Sequence, residues 1–181
     1  MKIVGVDLAG NPKNETGFCT LYVKGETKNI STRILHSDEE ILNNIKEANP
    51  DVIAIDAPLT FSGKNRRCDE LLREYGAIPV TLRGMIVLAN RGNSLAKKLS
   101  GFKTIEVFAT ASAKILGIYD KDDIKTQKMF INSGVKGELE NKFLTRDELD
   151  ATFAALTGLL FLEGKTKTVG DEDGRIVIPD V

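Results

Sequence analysis

Short apolar runs separated by polar turns fill the first third of the chain. Residues 2–8, KIVGVDL, read as a buried strand, followed by a polar loop from Ala9 to about Thr16. A second strand near 17–24 closes at the Lys24-Gly25-Glu26 turn, and a third runs from about 27 to 36. Ser37 followed by Glu40 is a capping box, and it opens a helix whose apolar stripe is Ile41, Leu42, Ile45 and Ala48, ending before Pro50. DVIAIDAP is a fourth, strongly apolar strand that ends in Asp56 and is stopped by Pro58. The period then lengthens. RRCDELLREYG predicts a short helix ending at Gly76, and GMIVLANRGNSLAKKL a longer one. KTIEVF at 103–108 predicts a fifth strand, and residues 109–134 a helical stretch broken at Gly117. The last helix, about 146–163, carries a face of Ala151, Ala154, Ala155 and Gly158, small enough to lie close against a sheet. A hairpin around Asp173-Gly174 is expected in the tail, 165–181.

This order implies an α/β fold. A right-handed crossover from the meander returns the fourth strand parallel to the first and beside it. The expected sheet has five strands, mixed, in the order 3-2-1-4-5, with helices on both faces. The order reverses between strands 1 and 4, and open α/β sheets bind ligands at the carboxyl ends of strands at such a point. Asp7 and Asp56 stand at those two ends. At 181 residues the chain suits one domain, 1–181, with a helical insertion at about 60–102. It has no run of ~18 apolar residues and no signal-peptide pattern, so a cytoplasmic protein away from membranes is expected. Cys19 and Cys68 form no ligand cluster, and neither is a candidate nucleophile.

Charge changes the picture in the middle of the chain. Residues 60–103 hold nine basic residues against three acidic, whereas the whole chain has a net charge of −1. Such segregation suits an anionic partner, nucleic acid above all, and equally a solvated helical face. Within the segment Arg66, Arg67, Arg83 and Arg91 are candidates for holding phosphates. The acids converge differently. Glu106 lies near the exit of the fifth strand, and Asp147 and Asp150, three apart, share one face of the last helix. Each acid taken singly has an ordinary explanation as a loop cap, a turn residue or a favourable charge at a helix start. Taken together, several carboxylates at one sheet edge repel unless a cation joins them. Mg²⁺ and Mn²⁺ prefer oxygen donors, and two such ions support phosphodiester hydrolysis. His36, the one histidine, ends an apolar strand and suits a structural role.

GVDLAG, AIDAPLTF, RRCDELLREYG, IEVFATAS and DELDATFAALTG, with the GRIVIP ending, resemble in order the motifs of a prokaryotic family of uncharacterised proteins described as predicted nucleases with an RNase H-like fold. More distantly, DELDATFAALT resembles the last helix of Holliday-junction resolvases. The resemblance implies a metal-dependent nuclease acting on DNA or RNA, with Asp7, Asp56, Asp147 and Asp150 at metal-binding positions and Glu106 as a further catalytic acid. Ala109 departs from it, standing where proline is expected. Two other readings stay open: a nucleotide-phosphate binder of actin or sugar-kinase type, and a non-catalytic scaffold with the same fold.

Overall fold

The structure is a computed structural model that describes residues 1–181. Eight strands form one sheet: β1 (Lys2–Asp7), β2 (Thr16–Lys24), β3 (Thr27–Leu35), β4 (Val52–Asp56), β5 (Thr104–Val107), β6 (Val135–Gly137), β7 (Thr166–Asp171) and β8 (Gly174–Pro179). Their spatial order is β6-β3-β2-β1-β4-β5-β8-β7. β1, β2 and β3 form an antiparallel meander, while β4 and β5 run parallel to β1. The order 3-2-1-4-5 is therefore the centre of a wider sheet, and the expectation of five strands falls short by three. β6 has three residues, too few to show a period of two in the sequence. The tail hairpin does not stand apart, because β8 joins β5 in parallel through Val107 and Val177.

Helices cover both faces: α1 (Asp38–Ala48), α2 (Arg67–Leu71), α3 (Arg83–Lys98), α4 (Ala109–Ile115), α5 (Asp123–Asn132) and α6 (Arg146–Leu162). Ser37 and Glu40 form the reciprocal cap at the start of α1, and Asn49 ends that helix in the left-handed region, φ 45°. Side chains alternate across β1. Ile3 faces the α6 layer with Cys19, Leu21, Val52, Phe153 and Ala155, whereas Val4 and Val6 face Ile41, Ile45, Leu95 and Leu99 of α1 and α3 and the turn that follows α3.

α6 sits unusually close to the sheet. A Cβ on Gly5 of β1 would lie 2.0 Å from the Ala151 carbonyl oxygen, and one on Gly17 of β2 would lie 1.9 Å from that of Asp147. Any larger residue at either position would push the helix away. This contact fixes where the amino-terminal turns of α6 lie relative to the end of β1.

Candidate metal centre

Asp7 and Asp56 are registered partners on parallel β1 and β4, so their backbones lie about 4.8 Å apart. Both are half-buried at the carboxyl edge. Gly17, the antiparallel partner of Asp7, is also the residue on which the Asp147 backbone rests. α6 thereby carries Asp147 and Asp150 over the same edge. None of the four aspartates enters an ion pair. Asp56 accepts one hydrogen bond, to Oδ2 from the Ala109 N–H at 3.1 Å. That bond explains the value of Ala109, since proline there has no proton to give.

The carboxyls resist ionisation together. Burial, then repulsion from Asp56, Asp150 and Asp147, holds Asp7 well above the ordinary carboxylate range. Burial and Asp150 push Asp56 up to about 7, against the Ala109 hydrogen bond. Burial raises Asp150 to about 6, with Asp147 and Asp123 adding to it and the Arg146 charge opposing. Asp147 is also raised by burial, but its next neighbours are Glu15, Asp123 and Glu148, which places it at the outer side of the group. Glu148, between the two aspartates in sequence, takes a structural part instead. It caps the helix at Thr145 and accepts from the Thr32 hydroxyl and the Lys142 ammonium.

Glu106 reaches the same edge from β5, near enough to Asp56 to add to its repulsion, but its partner is Arg66. Arg66 is 2% exposed and donates to both Asp69 and Glu106, with Nη2 at 2.7 Å from Asp69 Oδ1 and 2.8 Å from Glu106 Oε1. Its Nη1 also bonds the Thr60 carbonyl. A guanidinium so engaged has no donor left for a substrate phosphate, and Glu106, which also accepts from the Leu59 N–H at 2.8 Å, is no free metal ligand. Gly174 at the hairpin turn permits this burial, since a Cβ there would lie 2.9 Å from Arg66 Cδ. Arg91 is likewise internal. It bonds Asp38, the Ala9 carbonyl and the His36 carbonyl, tying the loop after β1 to the start of α1. Arg67 and Arg83 are exposed, so of the four arginines these two are available to a ligand. Burial pushes the Cys19 and Cys68 thiols up to about 12, which leaves neither as a thiolate.

Asp7, Asp56, Asp69, Glu106 and Arg66 open onto one cleft of about 290 Å³, whose other walls are apolar: Ile78, Met85, Leu88, Phe108 and Ile176. Sequence reasoning did not bring these walls together, because they come from four separate places: the loop before α3, α3 itself, the exit of β5 and β8. No three His, Cys, Asp or Glu side chains make a ready cage for an ion. Mg²⁺ does not require one, since it keeps several waters and is held by one or two carboxylates plus substrate oxygens. The donor set at the edge fits that demand: hard oxygens, unpaired with any cation, repelling one another and open to a cleft.

The same residues lie within a sequence match. The profile of a family described as protein of unknown function (DUF429) covers residues 5–128, well over half of the chain. The chain belongs to the DUF429 family. The match includes Asp7, Asp56, Arg66 and Glu106 and stops short of α6, so Asp147 and Asp150 stand outside it. No curated protein matches the sequence. Among solved structures, that of RuvC from Thermus thermophilus superposes with a TM-score of 0.56 over 91% of this chain and 97% of that one, at 12% identity. At that identity the likeness establishes the RNase H-like fold, which this DUF429 protein therefore has. No helix is long and apolar enough to cross a membrane.

Proposed function

We propose that this DUF429 protein is a divalent-metal-dependent nuclease hydrolysing phosphodiester bonds of DNA or RNA by a two-metal mechanism. The observation that carries the reading is the pair Asp7 and Asp56, abreast at the sheet edge, half-buried and without a cationic partner. Asp7, Asp56 and Asp150 would hold Mg²⁺ or Mn²⁺, with Asp147 at the outer edge. When bound, such ions lower the pKa of the attacking water and neutralise charge at the scissile phosphate. The chain's own residues prepare the place. The Ala109 N–H orients Asp56, the glycine contacts of α6 hold Asp150 over β1, and Arg91 fixes the loop after Asp7. Arg67 and Arg83, exposed on the segment between β4 and β5, are the proposed contacts to the nucleic-acid backbone. A polyphosphate binder of sugar-kinase type is disfavoured, because the charged lining of the cleft is four acids and one fully engaged arginine.

The test is cleavage of labelled linear and branched DNA and of RNA in Mg²⁺ or Mn²⁺. Cleavage is expected to stop with chelator and to fall by about a thousandfold or more in Asp7→Asn. Wild-type cleavage by folded Asp7→Asn protein would sink the proposal.

A further inference from the structure

The part of the cleft that extends beyond Asp7 and Asp56 has a lining unsuited to phosphate. Ile78, Met85, Leu88, Phe108 and Ile176 give it apolar walls, and its volume of about 290 Å³ sits at the lower end of small-molecule sites, roughly 300 Å³. Its polar end is the Arg66–Asp69–Glu106 cluster, in which the arginine donors are used and the two carboxylates outnumber them in charge. Glu106 Oε1 and Asp69 Oδ2 each accept one bond, from Arg66, and so retain acceptor capacity. The walls are held in place rather than loosely draped. A Cβ on Gly92 of α3 would lie 2.3 Å from the Pro58 carbonyl oxygen, and Gly10 packs on Leu88, so α3 is pressed against the exit of β4.

Away from the two aspartates, an apolar slot that offers acceptors and an excess of negative charge gives a phosphate no donor and suits a flat ring bearing donors. We infer that this cleft receives one unstacked nucleobase of the strand to be cut, with its amino-bearing edge toward Asp69 and Glu106. Cytosine, adenine and guanine each carry such an amino group. The inference rests on the nuclease reading for its substrate class and adds a subsite to it: a strand enters with one base turned out of the stack into the cleft, and its backbone passes the aspartates. Paired duplex is then a poorer ligand than a single strand or a mismatched site, because extrusion of a stable base costs pairing and stacking.

The experiment places 2-aminopurine, whose fluorescence reports unstacking, at successive positions of a single-stranded oligonucleotide. The protein is added without divalent metal, and overall binding is followed by the anisotropy of a terminal label. The expected result is a fluorescence change of at least twofold at one position relative to its neighbours. Ile78→Trp and Met85→Trp, which fill the cleft, should flatten that profile while overall affinity stays within about threefold. Ile78 is 49% exposed, so its replacement does not disturb the core. A uniform profile for the wild type, or a peak that survives both substitutions in folded protein, overturns the inference. Cleavage with a uniform profile removes the base site alone. A peak without cleavage in any metal keeps the base site and removes the nuclease reading.

Discussion

Two groups of charge meet at one cleft and differ in how they are satisfied. In the first, Arg66 sits between Asp69 and Glu106 with short, directed hydrogen bonds, and every arginine nitrogen has a partner. In the second, Asp7, Asp56 and Asp150 repel one another and none is in an ion pair, the Arg146 charge easing Asp150 alone. Burial alone does not separate a structural cluster from a reactive one; the missing counter-charge does. The first group holds the hairpin turn and the exit of β4 in place. The second is left at odds with itself, which a protein tolerates where a ligand removes the conflict.

The largest consequences come from breaking each group in turn. Asp56→Asn should abolish metal-dependent cleavage, about a thousandfold or more, yet raise the melting temperature above pH 7, because one repelling charge is gone. Arg66→Met should do the reverse to stability: it strands two buried carboxylates, a loss of about 3–5 kcal/mol, or roughly 10 °C in a chain of this size. Calorimetry of both variants at pH 8 decides this, and a destabilised Asp56→Asn would erase the distinction.

A second effect distinguishes the groups by pH. Asp56 at about 7 and Asp150 at about 6 lie above the unfolded value of roughly 3.9. The folded state then binds more protons than the unfolded one, and stability falls as pH rises from about 4 to 7. The metal-free protein should lose on the order of several kcal/mol over that window, measured by urea unfolding, and Mn²⁺ should restore it at the upper end. A flat profile would mean that the carboxyls are already compensated.

Smaller again is the backbone contribution to the second group. Ala109→Pro suits the first turn of α4, and Phe108 before it is extended, φ −128° and ψ 100°. The fold should hold, but Asp56 loses its donor, and the pH midpoint of metal binding should move up by about one unit. The smallest effect is at the surface. Removing Arg67 or Arg83 should lower the log–log salt slope of oligonucleotide binding by roughly one unit per lost phosphate contact. Arg91→Ala should instead act through folding, since that residue ties the loop after β1 to α1.

The sequence disclosed what is local or periodic. The capping box at Ser37, the apolar runs of β1 and β4, and the small face of α6 are each written in a few adjacent residues, and together they carry Asp7, Asp56 and Asp150 to one edge. What stayed hidden depends on distant partners. A charged side chain in a short helix gives no sign of whether it is buried, and Glu106, the partner of Arg66, lies 40 residues further on. The positive excess of residues 60–103 was accordingly a mixed signal. Arg66 and Arg91 serve the interior, while Arg67 and Arg83 remain exposed. β6 and the docking of β8 onto β5 were equally illegible, because one has three residues and the other rests on a single pair, Val107 and Val177.

The central claim is that the unpaired aspartates await a divalent cation. Anomalous scattering from crystals soaked in Mn²⁺ near pH 8, where Asp56 and Asp150 are largely ionised, tests it at the atoms concerned. A manganese peak is expected within bonding distance of both Asp7 and Asp56, absent in Asp56→Asn. Manganese bound only elsewhere, or unchanged occupancy at this edge in the variant, would contradict it.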